Sequence, residues 1–462
     1  MCIPLRRCCD SLIACIFGMI FCWRKKKIPD LDRKHRILLE SAVTLAAMIK
    51  KKELKSKELV TVCIERITQV NPIINAVTDE RFDAALREAQ DIDQAIQSGQ
   101  AQDKPFLGVP FTSKESFAVN GLLNTLGLKA RKNIRATDDA DCVRLMKEAG
   151  AIPLAVTNVP ELCRWIETRN MVFGQTKNPY HIGRTSGGSS GGEAALHACI
   201  ATPISLCGDT GGSTRMPAFY CGLYAFNPTG GHTSNKGSLL NKTNTPTMGS
   251  ISFLSRHCSD LIPLVKIVTD KKAQELNLDR QVDIKKLKYY YVEMVGDGRI
   301  SPICEDLNNA LYRAVNFLRR ELPPDLEPQP YYHTGFDHSF KLWKYRMSKE
   351  ALDLSMMLTN NVRPVKFLPE LIKKIICISD FTIGSILGLL DTQVMPKVKE
   401  KWAEPILANL KQDLTELLGT DGVLLFPSAP YPAPYHFVSL FRPFNFAYWA
   451  IFNALEFPSV QV

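Results

Sequence analysis

What the chain lacks excludes several classes at once. No internal repeat or low-complexity tract interrupts its 462 residues, so a solenoid, a propeller or a disordered array is ruled out. The nine cysteines from Cys63 to Cys377 stand singly, with no CxxC and no metal-ligand spacing. No metal site is indicated and reduced thiols are expected. No apolar run approaches the roughly 20 residues that span a bilayer as a helix. The body also has little net charge. Residues 1–60 hold fourteen cations and six anions, a surplus of eight out of the overall +10. No RNA-binding signature, zinc-finger spacing or long basic helix occurs in the near-neutral remainder, so nucleic acid is not the expected partner.

What is present is a globular composition, 45% hydrophobic and 23% charged, long enough for one large domain or two to three ordinary ones. The basic surplus surrounds the apolar run Leu12–Trp23, between Arg6 and Arg7 on one side and Arg24 to Lys27 on the other. Twelve helical residues span roughly 18 Å, short of the roughly 30 Å hydrocarbon core. The run is therefore a poor transmembrane helix by itself. Four cations, and no small-residue cleavage site, follow it, which favours an uncleaved anchor over residues 1–29 against a signal peptide. Cys2, Cys8, Cys9, Cys15 and Cys22 crowd beside it. They are S-acylation candidates or, equally well, small apolar residues of the anchor.

Beyond the anchor, apolar periodicity predicts a helix starting at Ser41, another capped by Ser56 and stopped by Pro72, and a third over Arg81 to Ser98. Strands are then expected at Phe106–Ser113, Ile152–Val156 and Ile204–Cys207, alternating with helices at Asp138–Glu148 and Glu193–Ala198. This alternation predicts an α/β layer architecture with a buried parallel or mixed sheet. A strand at Leu287–Val292, helices through Pro302–Glu321 and on to about Gly419, and a strand at Gly422–Pro427 follow. Phe367 to Val394 is unusually apolar. A buried core helix is the usual reading, and an exposed amphipathic hairpin that guides lipid substrates is the alternative. A last apolar run begins at Asn453.

The chemistry concentrates in Arg184 to Pro217, where GGSSGG at 187–192 and GGS at 211–213 enclose a short helix and a strand. A phosphate loop would need Lys and Ser/Thr after the glycines, and Glu193 stands there instead. An esterase elbow fits Gly188 to Gly192 with Ser190 at its centre, Asp421 and His436 supplying acid and base, but leaves the second cluster unexplained. A third reading adds Lys114, at the end of the strand in PFLGVPFTSKESF. Burial favours the neutral amine, a workable base, and serine needs one because its hydroxyl is a poor nucleophile unaided.

The strings VPFTSK, GGSSGGEAAL and DTGGSTRMPA, with TNVPELCRWIETRNMVFGQTKNPY at 157–180 and FYCGLYAFNPTGGHTSNKG at 219–237, resemble the amidase signature family. Within it they resemble the membrane-bound fatty-acid amide hydrolases, the type 2 group in particular. The resemblance implies one large amidase domain over residues 41–462, with a central mixed β-sheet flanked by helices. It also implies three roles: Ser213 as nucleophile, Ser189 as a proton relay held through a cis peptide bond, and Lys114 as base. Thr210, Gly211, Gly212 and Ser213 would supply oxyanion N–H groups, with Asp209 and Arg215 paired structurally beside them. No cofactor or metal is implied. Expected partners are a lipid amide substrate and a membrane, through a transmembrane or otherwise anchored N-terminus at an endomembrane or lipid-droplet surface, and a homodimer is compatible.

Departures from the family pattern are Gly208, Thr210 and Thr214 around the nucleophile, Asn227 in place of lysine and Glu456 in place of glycine. Relatives of the family continue beyond NALEFPSVQV. An end at Val462 would uncover a strand edge, making a catalytically impaired, truncated lipid-binding or regulatory isoform the alternative function.

Overall fold

The computed structural model describes residues 3–23, 26–240, 248–350 and 352–462. Cys2, Arg24 and Lys25, all part of the expected anchor, lie outside them.

Seven strands build the central mixed sheet: β1 (Val77–Glu80), β2 (Pro110–Lys114), β3 (Ile152–Thr157), β4 (Ile204–Asp209), β5 (Tyr224–Asn227), β6 (Ser250–Ser255) and β7 (Ser459–Gln461). Their spatial order is β1-β3-β2-β4-β6-β5-β7. The three central strands β3, β2 and β4 run parallel, and the outer pairings are antiparallel. Every residue of β2 and β3 is buried, which explains why β3 reads as a nearly continuous apolar run, while β2 buries the polar Thr112, Ser113 and Lys114 beside the site.

The helices that matter to the site are α1 (Ile3–Phe21), α2 (Ser56–Ile74), α3 (Gly191–Ala198), α4 (Arg215–Tyr220), α5 (Phe367–Ile375), α6 (Ile383–Gln393) and α7 (Ala447–Leu455). Leu59, Val60, Cys63, Ile67 and Val70 of α2 pack on Phe111, Leu154, Val156 and Leu206 of the sheet. A second core gathers Phe336, Leu410, Tyr448 and Ile451 around a three-stranded parallel sheet formed by Lys288–Tyr291, Gln329–Pro330 and Gly422–Leu425. The C-terminal β7 returns to pair with β5, joining this part to the main sheet.

The element boundaries differ from expectation where tertiary contacts intervene. Ser56 is not the cap of α2. Its N–H and that of Lys57 donate to the Asp93 carboxylate at 2.7 and 3.0 Å, and its hydroxyl donates to Gly108 O at 2.8 Å. α2 also runs through Pro72 and ends at Asn75, whose left-handed φ of 54° closes the last turn. β2 begins at Pro110, because Phe106 to Val109 form a turn in which Val109 N–H donates to Phe106 O at 3.0 Å.

Among the described residues no helix is long and apolar enough to cross a membrane, so the transmembrane expectation is not supported. Instead, α1 lies on the body. Arg6 donates to Asp297 O and Ile300 O at 3.3 and 3.2 Å, Asp10 pairs with Arg442, and the rings of Phe17 and Phe21 meet those of Phe441 and His436 edge to face. Its outer face exposes Leu12, Ile16, Met19 and Ile20, with Trp23 just beyond the helix.

The apolar stretch at 367–394 is not a core helix. It folds into the pair α5 and α6, and Leu371, Ile386 and Leu389 of these helices, with Phe381 from the link between them, pack on Leu126, Leu128, Leu162 and Leu354. This cluster has room for only one face of the pair. Leu368, Ile372, Ile375, Ile376 and Ile378 remain 53–72% exposed.

Candidate active site

Because β2 and β4 are parallel neighbours, their C-terminal ends deliver Lys114 and Asp209 to the same edge of the sheet. The Gly/Ser loop preceding α3 crosses that edge. Lys114, only 3% exposed, donates from Nζ to Ser189 Oγ at 2.7 Å and to Gly208 O at 3.3 Å. The Gly188–Ser189 peptide is cis. A side chain at Gly188 would put its Cβ 2.5 Å from Trp165 O, so the loop can sit here only with glycine at that position. Thr168 fixes the loop from the other side. Its hydroxyl donates to Gly187 O at 2.9 Å and accepts from Gly191 N–H at 3.0 Å.

Ser213 stands half-buried in the turn between β4 and α4, and its carbonyl accepts the Ser190 N–H at 3.1 Å. The two serine-bearing loops are thus tied through backbone. Among the described residues the Ser213 hydroxyl has no hydrogen bond, so the Ser189–Ser213 link of the expected relay is not closed in this state.

The turn is held by Asp209, which is fully buried against Arg215. Arg215 Nε and Nη2 reach the two carboxylate oxygens at 3.0 Å each, and the N–H groups of Gly212 and Thr214 add bonds of 2.6 and 3.1 Å. Burial pushes the Asp209 carboxyl up, but the Arg215 guanidinium and these N–H donors outweigh it and hold the carboxyl at about 2. Asn453 and the Trp449 carbonyl complete the shell around Arg215 at 2.6 and 3.1 Å. The Gly212 N–H, expected among the oxyanion donors with those of Thr210, Gly211 and Ser213, donates to Asp209 Oδ1 in this structure. Gly212 adopts a φ of +99°, with Trp449 where a side chain would go.

Glu193, in the first turn of α3, is fully buried and accepts from the Thr112 and Thr157 hydroxyls at 2.7 Å each, tying β2 to β3 beneath Lys114. Burial pushes its carboxyl up to about 7. Burial likewise raises the Cys163 thiol, offset in part by Lys114 and Ser189 beside it.

The elbow alternative does not assemble. Among the described residues the Ser190 hydroxyl is buried without a partner, and His436 faces Glu167, accepting from Gln175 Nε2 at Nδ1 and donating from Nε2 to Ile182 O. Sequence reasoning missed Trp343, whose Nε1 donates to Thr210 O at 2.9 Å, and Asn453, which bonds Asp209 and Arg215. Both come from helices far along the chain with no local signal. Glu193 was detectable, as the carboxylate directly following the glycine loop.

The Amidase family model matches residues 58–290. Fatty-acid amide hydrolase 2-A of Danio rerio is 37% identical over 458 residues, covering 94% of this chain and 84% of its own length. Fatty-acid amide hydrolase 2 of Homo sapiens is 36% identical over 441 residues, covering 92% and 82%. Among solved structures, a fatty acid amide hydrolase superposes with a TM-score of 0.72 at 19% identity, over 93% of this chain and 74% of that one. A 6-aminohexanoate cyclic dimer hydrolase complexed with substrate gives 0.71 at 22% identity, over 92% and 89%. The two structures speak to the fold alone. With the family model spanning half the chain and relatives above 30% identity matched over more than four fifths of their length, the chain belongs to the amidase signature family and is an amide-hydrolysing enzyme.

Proposed function

We propose that the chain hydrolyses long-chain fatty-acid amides, both primary amides and N-acylethanolamides, to the free fatty acid plus ammonia or amine. The observation that carries this reading is the buried 2.7 Å contact between Lys114 Nζ and Ser189 Oγ beside the Ser213 turn. With the lysine amine neutral, Ser213 Oγ attacks the amide carbonyl, Ser189 takes its proton, and the Ser189 proton passes to Lys114. The carbonyl oxygen gains the electron pair and is met by the N–H groups of Thr210, Gly211 and Ser213. The relay then runs backward. Lys114 returns a proton through Ser189 to the leaving nitrogen, the C–N bond breaks, and an acyl ester remains on Ser213. Water, activated by the same relay, hydrolyses that ester. Delivering the proton is the demanding part, since an amide anion cannot leave.

The lipid character of the substrate and attachment at an endomembrane or lipid-droplet surface are supported by two exposed apolar faces, on α1 and on the α5–α6 pair. Fully withdrawing such side chains from water is worth about 1.5–3 kcal/mol each. Basic residues flanking α1, Lys26 and Lys27 among them, add about 1 kcal/mol per cation near anionic headgroups. Such a helix lies in the interface and does not cross it.

The test is labelling of the folded protein with a serine-reactive fluorophosphonate, comparing wild type with Ser213→Ala. Labelling and oleamide hydrolysis are expected to vanish together in the variant. Folded wild-type protein that shows no Ser213-dependent labelling would overturn the reading.

A further inference from the structure

The segment 161–168 connects the apolar α5–α6 pair to the cis-serine loop. At its start, Glu161 is 2% exposed, and its Oε2 accepts from Thr382 N–H, Thr382 Oγ1 and Ser385 Oγ at 2.8, 2.8 and 2.5 Å. Thr382 is the N-cap of α6, so the carboxylate sits at the positive end of an 11-residue helix. Among the described residues the other oxygen, Oε1, is buried without a partner. A buried acid bonded on one side only calls for an explanation.

The chain leaves Glu161 through Leu162 and Cys163, two non-glycine residues with left-handed φ values of 53° and 55°. These conformations persist only where the surroundings impose them. Trp165 follows. Its ring lies so close to Gly384 of α6 that a Cβ there would be 2.7 Å away, and its carbonyl presses on Gly188 of the cis peptide. Three residues later the Thr168 hydroxyl makes its two bonds to the same loop. One stretch of eight residues therefore grips α6 at two points and the Ser189 loop at three.

We propose that Glu161 is a positioning residue, clamping this segment to α6 so that Ser189 is held in register with Lys114. It touches no reacting atom. Removing it frees the segment to relax its left-handed residues and lets the Ser189 loop drift. Displacements near 1 Å in such a relay cost up to about 100-fold in rate. The loss falls unevenly across substrates. Both substrates need the Lys114–Ser189 relay to activate Ser213 and the attacking water, but amide cleavage needs it once more, to protonate the leaving nitrogen, whereas a p-nitrophenyl ester releases a phenolate that leaves unprotonated.

The inference rests on the Lys114–Ser189–Ser213 reading, and the experiment separates the two. Full-length wild type, Glu161→Ala and Lys114→Ala are assayed on oleamide and on p-nitrophenyl oleate. Active enzyme is counted by fluorophosphonate labelling. Glu161→Ala is expected to lower kcat per labelled enzyme on the amide at least about ten-fold, with KM unchanged, and on the ester by a factor at least about three-fold smaller than on the amide. An equal loss on both substrates, or none, overturns the proposal. Should Lys114→Ala leave the amide-to-ester ratio unchanged, the site reading itself fails. If Glu161→Ala does not accumulate as folded protein, Ser385→Ala carries the test, since it removes one of the three bonds at a distance from the serines. An amide-selective loss supports the clamp, and an unchanged ratio overturns it.

Discussion

Lys114 and Ser189 stand 75 positions apart in the chain and meet at 2.7 Å in the folded molecule, across the edge where β2 ends and the Gly/Ser loop turns into α3. That contact leads to the first prediction. Lys114→Ala is expected to lower oleamide turnover by about 10²–10⁴-fold, the usual worth of a general base. His436→Ala is expected to keep kcat within a few-fold, because its ring nitrogens serve Gln175 and Ile182 O. Steady-state hydrolysis by both variants checks this, and the opposite ranking would restore the elbow mechanism.

The Asp209–Arg215 pair holds the nucleophile turn and also ties stability to pH. An unfolded aspartate titrates near 3.9, whereas Asp209 is held at about 2. Its folded value is depressed, so its contribution is present above about pH 4 and is lost as pH falls through about 2. Arg215→Met leaves the carboxylate buried and unpaired, at an expected cost of about 3–5 kcal/mol at pH 7. Urea unfolding at pH 7 and pH 3 should show that cost shrinking toward acid. A pH-independent difference would contradict the assignment.

Glu193 carries the reverse sign. Its carboxyl is raised to about 7 by burial, against about 4.3 when unfolded. The stability it contributes as a neutral group is therefore complete below about pH 4 and is lost as pH rises through about 7. Glu193→Gln should lose less Tm than wild type between pH 5 and pH 8 in scanning calorimetry. Glu115, raised by burial to about 7 as well, retains its share of the slope in that variant. Parallel Tm curves would be the contrary result.

The exposed face of the α5–α6 pair gives a fourth expectation. The triple variant Ile372→Ser, Ile375→Ser, Ile376→Ser should bind anionic phosphatidylserine vesicles at least about ten-fold more weakly, since each lost apolar side chain is worth 1 kcal/mol or more. Flotation of full-length protein with vesicles measures it. Fluorophosphonate labelling in detergent should stay at the wild-type level, since the replaced residues face outward from the cluster beneath them.

Much of this molecule is legible in its sequence, for identifiable reasons. Buried parallel strands favour apolar residues, so β3 announces itself as a short hydrophobic run, while β2 and β4 show apolar starts that give way to the polar residues serving the site. A backbone crossing another at the distance of Gly188 from Trp165 O tolerates only glycine, so the Gly/Ser clusters mark the site even before any fold is known. Less legible were features whose cause lies far away in the chain. Asp93 caps α2 from another helix, which is why Ser56 misleads as a cap. The 367–394 stretch reads as core because composition alone cannot say how many of its faces find neighbours.

The sequence by itself determined the chemistry on offer: a lysine after a buried strand, two serines in glycine turns, and a basic, apolar N-terminus. These are local patterns, set by the steric and electrostatic needs of each residue and its immediate neighbours. Only the tertiary structure decided how they are used. It spends the Gly212 N–H on Asp209, recruits Trp343 and Asn453 to the nucleophile turn, lays α1 along the body, and ties Glu161 to α6. Each of these is a contact between segments remote in the chain, closed by burial and hydrogen-bond geometry that no local stretch of sequence encodes.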